Sequence, residues 1–140
     1  MKTRYAIALS LVLLVLVSTS LVTPVHAKWD VDVAFWMTTS DGTVYLTTSA
    51  AGKMGYFVIF QIDMWYGLPK DRTGFVSFYS GQQIALSLGG YASATVQATA
   101  PTGPHVHYFV QVQVYDLFTG TLLGFANYDP RGGTNGGVGF

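Results

Sequence analysis

Trp29-Asp-Val-Asp-Val-Ala-Phe-Trp-Met37 alternates with a period of two, and that alternation decides the fold class. Successive side chains of a β-strand point to opposite faces. Trp29, Val31, Val33, Phe35 and Met37 therefore share one face, and Asp30 and Asp32 share the other. Ser40-Asp-Gly42 follows as a tight-turn signal, and Thr43 to Thr48 returns as a second strand rich in Val, Tyr, Leu and Thr.

Upstream of Trp29 the chain changes character. Met1-Lys-Thr-Arg4 is basic, whereas Tyr5 to Ala27 carries no charge and contains Leu9-Ser-Leu-Val-Leu-Leu-Val-Leu-Val17. Pro24 breaks any helix just before Val25-His-Ala27, which ends in the small residue that signal peptidase requires. This order reads as a signal peptide over residues 1–27, which places the mature chain outside the cytoplasm, secreted or at the cell surface. Left uncleaved, the run from Tyr5 to Val22 approaches the length of a membrane span and would tether the domain. Membrane attachment is expected only in that case.

Downstream, Ala50-Ala-Gly52 breaks the second strand, and Met54 to Tyr66 is the longest strand candidate. Tyr56, Val58, Phe60, Ile62 and Met64 lie on one of its faces, with Phe57, Ile59, Gln61, Asp63 and Trp65 on the other. A strand apolar on both sides belongs in the middle of a sheet or beneath a cover. After a loop from Gly67 to Gly74, Phe75 to Tyr79 and Ile84 to Leu88 read as two short strands parted at Ser80-Gly81. Gly89-Gly90 turns the chain into Tyr91 to Thr99. Beyond Pro101-Thr-Gly-Pro104, Val106, Tyr108, Val110, Val112 and Val114 face inward, and His105, His107, Phe109, Gln111, Gln113 and Tyr115 face outward. Asp116 to Gly120 forms a hairpin loop and Thr121 to Tyr128 closes the domain, residues 28–128. Residues 129–140 are too rich in Gly to hold regular structure by themselves and are expected to form a flexible tail. About eight short strands without a helical period predict an all-β, antiparallel two-sheet sandwich.

The ending Tyr108-Phe-Val-Gln-Val-Gln-Val-Tyr-Asp116, preceded by a Pro/Gly turn and followed by a hairpin, resembles the last two strands of immunoglobulin-like and fibronectin type III-like domains. Tyr108 resembles the tyrosine corner of such folds. The resemblance covers roughly residues 91–128 and implies an immunoglobulin-like sandwich. It implies no activity, because these folds carry unrelated functions. The Cys pair of true immunoglobulin domains is absent.

Composition narrows the function classes. Without Lys2 and Arg4 the seven basic residues fall to five, against seven Asp, and there is no Glu. Nucleic-acid binding needs clustered Lys and Arg, so no nucleic-acid partner is expected. The chain has no Cys, so stability outside the cell must come from packing rather than from disulfides.

Chemistry-bearing groups are sparse. There is no G-x-S-x-G elbow, phosphate-binding glycine loop or HExxH motif. Asp30 and Asp32, about 7 Å apart on one strand face, have the spacing of a carboxylate pair but also suit a solvated outer face. His105-Val-His107 places two imidazoles on one strand face, where they could hold a transition metal with Asp63 or a Gln as third ligand. The alternative is two surface His beside a Pro-Gly turn. No catalytic residue and no cofactor are expected.

The outward aromatics and amides are a different signal. If the strands around Trp65 and Phe109 pair, Phe57, Gln61 and Trp65 lie near His107, Phe109, Gln111 and Tyr115. That surface suits contact with another protein subunit, stacking on a glycan, or cover by the chain itself. A second route to assembly is strand donation, with Trp29, Val31, Val33 and Phe35 inserted into a neighbouring copy. The Asp41-Gly42 hairpin opposes it by tying that strand to its own domain. The expectation is a non-enzymatic surface or secreted protein that assembles with itself into a filament or coat, or else a carbohydrate-binding module.

Overall fold

The computed structural model describes residues 29–68, 74–130, 134–135 and 137–139. The leader expected over residues 1–27 lies outside them. Seven main strands follow in chain order: β1 (Val31–Ser40), β2 (Thr43–Gly52), β3 (Phe57–Gly67), β4 (Val76–Leu86), β5 (Tyr91–Thr99), β6 (His107–Asp116) and β7 (Leu122–Tyr128). Two short ones, β8 (Thr134–Asn135) and β9 (Gly137–Gly139), end the chain. A four-stranded sheet runs β5-β2-β1-β9 and a five-stranded sheet runs β4-β3-β6-β7-β8. Pairing is antiparallel throughout except between β1 and β9. The all-β, two-sheet architecture read from alternation is therefore present. No helix among the described residues is long and apolar enough to cross a membrane.

The core lies between the sheets and is built from the predicted alternating faces. Val31, Val33, Phe35 and Met37 of β1 pack with Val44 and Leu46 of β2 on one side. Val58, Phe60, Ile62 and Met64 of β3 and Val110, Val112 and Val114 of β6 supply the other. Thr48 is the one fully buried polar side chain among the described residues; its Oγ1 donates to the Ala34 carbonyl at 2.9 Å. The β1–β2 hairpin turns on Asp41 and Gly42, with φ of 45° and 82°. Positive φ at both central residues is the turn whose twist matches the flanking strands, and Asp-Gly tolerates it.

Two expectations change. The segment read as two short strands parted at Ser80-Gly81 is one continuous edge strand, β4, in register with β3 from Phe57↔Leu86 to Met64↔Tyr79. Irregularity falls instead beside Trp65, where the register shifts by one residue. Ser and Gly signal a break only where nothing else holds the chain; here the ladder to β3 does.

The Gly-rich end also differs from a structureless tail. Taken alone it has no reason to fold, but β8 pairs with β7 and β9 pairs with β1 over Ala34↔Gly137 to Trp36↔Gly139. Main-chain hydrogen bonds to preformed strands need no side chains, so Gly does not forbid them. The consequence is positional: β8 and β9 sit at one lateral side of the sandwich. At the opposite side β4 and β5 lie together across the two sheets, linked by a bridge between Leu88 and Tyr91.

Candidate interaction surface

Strands β3 and β6 pair as the sequence reading supposed, from Val58↔Asp116 to Gly67↔His107. Their outward side chains form three zones. At one end Trp65 stands directly opposite Phe109, ring centroids 4.9 Å apart and 73° tilted, with Phe75 at 6.3 Å from Phe109. All three rings are half-buried. Edge-on packing of this kind satisfies the rings among themselves and leaves no flat platform for a sugar.

The middle zone is polar. Asp63 accepts a hydrogen bond from Ser80 Oγ at 2.6 Å, and Gln61 Nε2 approaches it at 3.4 Å. Gln111 lies opposite Asp63 and Gln113 opposite Gln61. Tyr115 lies opposite Ile59.

The far end is apolar and open. Phe57 pairs with Leu86, Ile59 with Ile84, and the Phe57 ring meets Phe118 edge-on at 6.2 Å. Phe118 is 75% exposed, Ile84 64% and Leu86 50%. Phe118 is held there by its turn: Asp116 Oδ1 accepts the Phe118 and Thr119 N–H groups, each at 2.9 Å. The Thr119 bond, helped by that from Phe118 and opposed by burial, keeps the Asp116 carboxyl below the ordinary carboxylate range.

Strand β4 is reversed relative to the other strands. Ile84 and Leu86 point to solvent while Gly81, Gln83 and Ala85 on the opposite face are half-buried. Nothing in β4 is charged, and it contains no Pro. Sheet edges are commonly blunted by Lys, Pro or a bulge. Here the register shift beside Trp65 protects only one end, and Tyr79 to Leu86 runs regularly.

Other candidates lie elsewhere. Val31, Val33 and Phe35, read as knobs for a neighbouring copy, are buried in this domain's own core. Their hydrophobic faces are satisfied by β3, β6 and β7, so they form no surface in this state. Trp29 precedes β1 rather than sharing its inner face; it packs edge-on against Phe125 with centroids 5.2 Å apart. His105 lies in the turn before β6, where Val106 N–H meets the Gly103 carbonyl, so the two imidazoles do not share a strand face. His107 stands opposite Gly67, four residues along β3 from Asp63, about 13 Å by strand rise. That separation removes Asp63 as a third ligand. Among the described residues no group of three His, Cys, Asp or Glu is placed to hold a metal ion.

The sequence reading missed Ile84, Leu86 and Phe118. The signal was present in the alternation Gln82-Gln-Ile-Ala-Leu86, but which row faces solvent depends on the pairing with β3. It also missed the outer face of the other sheet. There Trp36, Thr47 and Thr95 lie in one row across β1, β2 and β5, and Thr38, Tyr45 and Gln97 in the next. Trp36 and Tyr45 are both exposed. No family model, no curated protein and no solved structure matches this chain.

Proposed function

We propose that this protein is a non-enzymatic structural subunit, secreted or displayed at the cell surface, that assembles with copies of itself into a filament or coat. The observation that carries this reading is the reversed edge strand, with Ile84 and Leu86 facing solvent beside Phe57 and Phe118. A contiguous apolar surface at a sheet edge without charge is costly to leave in water and favours association. The low charge of the whole chain supports the same reading, since few charges need to be desolvated when copies pack.

The sandwich itself is of immunoglobulin-like type in this proposal. Strands β1-β2-β5 in one sheet and β3-β6-β7 in the other follow the A-B-E and C-F-G order of such domains. Tyr108 Oη donates to the Pro101 carbonyl at 2.7 Å, as a tyrosine corner does.

Light scattering of the purified protein across concentration, with electron micrographs of the same samples, tests the assembly. Growth into regular fibres or sheets is expected. A monomer at every concentration would remove the reading and leave carbohydrate binding. That second reading is favoured by Trp36 and Tyr45 standing exposed among Thr38, Thr47, Thr95 and Gln97, an arrangement of ring faces and hydroxyls suited to a sugar. Retention on a glycan panel, lost in Trp36→Ala, is its test.

A further inference from the structure

The open edge of β4 has a direction and a register. Ser87 N–H donates to the Tyr56 carbonyl at 2.8 Å, one step beyond the Phe57↔Leu86 pair. Bonded and non-bonded pairs alternate along an antiparallel ladder. Residues 79, 81, 83 and 85 therefore bond to β3, and the N–H and C=O groups of Ser80, Gln82, Ile84 and Leu86 point away from it. Leu88 agrees with this phase: it exchanges both main-chain bonds with Tyr91, at 2.8 and 3.1 Å, on the side away from β3. The residues that offer edge hydrogen bonds are thus the same ones that expose Ile84 and Leu86 to solvent.

We infer that β4 is a self-association edge, pairing antiparallel with β4 of a second copy about a two-fold axis at Gln83. This rests on the self-assembly reading and names one of its contacts, since a two-fold pairing closes at a dimer and a filament or coat needs a second contact elsewhere. An axis at Gln83 sets Ser80 against Leu86 and Gln82 against Ile84 of the second copy, and the reciprocal pairs follow by symmetry. All four outward-pointing residues of each strand are then used, giving on the order of eight main-chain hydrogen bonds. Axes half a residue to either side leave the edge groups out of phase, and axes at Gln82 or Ile84 leave one residue of each strand unpaired. A second copy fits this edge in particular. It brings no like charge, since neither strand has any. Ile84 and Leu86 of each strand become part of one extended sheet face with Phe57 and Phe118. Gln83 meets its own symmetry mate, and an amide is both donor and acceptor, so it can pair with itself. The β5 edge is chemically different: its outward residues are Tyr91, Ser93, Thr95, Gln97 and Thr99, with no aliphatic side chain among them, and the main chain of Tyr91 is already bonded to Leu88.

The chain has no cysteine, which makes the register directly readable. Gln83 opposes its mate as a non-bonded pair, where Cα atoms lie about 4.5 Å apart, within disulfide reach. Gln83→Cys is expected to give a reducible species of twice the chain mass under mild oxidation, and Gln97→Cys on the β5 edge is not. Gln82→Pro removes a donor that points away from β3, and Ile84→Lys places a charge on the edge. Each is expected to lower self-association at least tenfold by sedimentation while circular dichroism stays unchanged. Regular polymers that form equally well in Ile84→Lys and Gln82→Pro, with no Gln83→Cys cross-link, would overturn the β4 contact and leave self-assembly standing. Cross-linking through Gln97→Cys alone would assign the contact to β5 and also overturn the inference. A native protein that stays monomeric at all concentrations would overturn both readings.

Discussion

Gly124 of β7 passes so close to Val31 of β1 that a Cβ on it would lie 2.6 Å from the Val31 carbonyl oxygen and 2.8 Å from its Cγ2. The two sheets touch here through main chain, next to the β7 register shift that lies between the Val114↔Gly124 and Tyr115↔Leu122 pairs. A flexible side chain would move aside, but a strand carbonyl in a paired ladder cannot. Gly124→Ala is therefore expected to destabilise the domain by about 1–3 kcal/mol, the usual range for overpacking a tight core. Urea denaturation measures it, and an unchanged midpoint would show that the sheets can part at this point.

The burial of Phe35 separates folding from assembly. Phe35→Ala is expected to cost about 3–5 kcal/mol, as large-to-small changes of buried aromatics do. Val33→Asp is expected to unfold the chain, because an unpaired carboxylate would enter the core. If Val33→Asp instead remains folded and loses only its polymers, β1 is exchanged between copies and its place in this monomer is not the assembled one.

Phe118 should behave in the opposite way. At 75% exposure on a turn, its replacement by Ser is expected to leave stability within about 0.5 kcal/mol. Self-association should weaken, because the apolar zone with Phe57 and Leu86 shrinks. Parallel thermal melts and sedimentation of Phe118→Ser distinguish these effects.

Tyr108→Phe removes the hydrogen bond that the β6 phenol donates to the Pro101 carbonyl. The expected loss is about 1–2 kcal/mol, for a part-buried acceptor left without its donor. Guanidinium midpoints of the two proteins give the number directly. No change would mean that water replaces the phenol.

Asp116 makes stability depend on acid. Its carboxyl is held below the ordinary range by the Thr119 and Phe118 N–H groups, so the folded state favours the charged form. The contribution is present at neutral pH, above the unfolded carboxylate value, and is lost as pH falls through the lower folded value. Denaturant midpoints followed from neutral pH into acid should fall less steeply in Asp116→Asn than in the native protein. Parallel curves would show that the turn draws nothing from the charge.

Much of the architecture could be read before any coordinates. The alternating rows of β1, β3 and β6 and the Asp41-Gly42 turn depend on neighbouring residues or on strong apolar faces, and the chain states them locally. The β3–β6 pairing is supposed only from the resemblance to immunoglobulin-like domains. The inward row of β1 shows the limit of that reading: Val31, Val33 and Phe35 are apolar whether they fill their own core or a neighbour's. Strand β4 shows it more sharply. Its composition allows either row to face inward, and Ser80-Gly81 reads as a break.

What the sequence by itself determined is the class of the fold and the faces of its strongest strands, because a period of two with one apolar row has only one buried solution. What only the tertiary structure decided is the orientation of β4, the strand pairing of the Gly-rich end, and the gathering of Phe57, Ile84, Leu86 and Phe118 at one open edge. These follow from long-range register. A shift of one residue turns every side chain of a strand to the other face, and only the partner strand sets that choice.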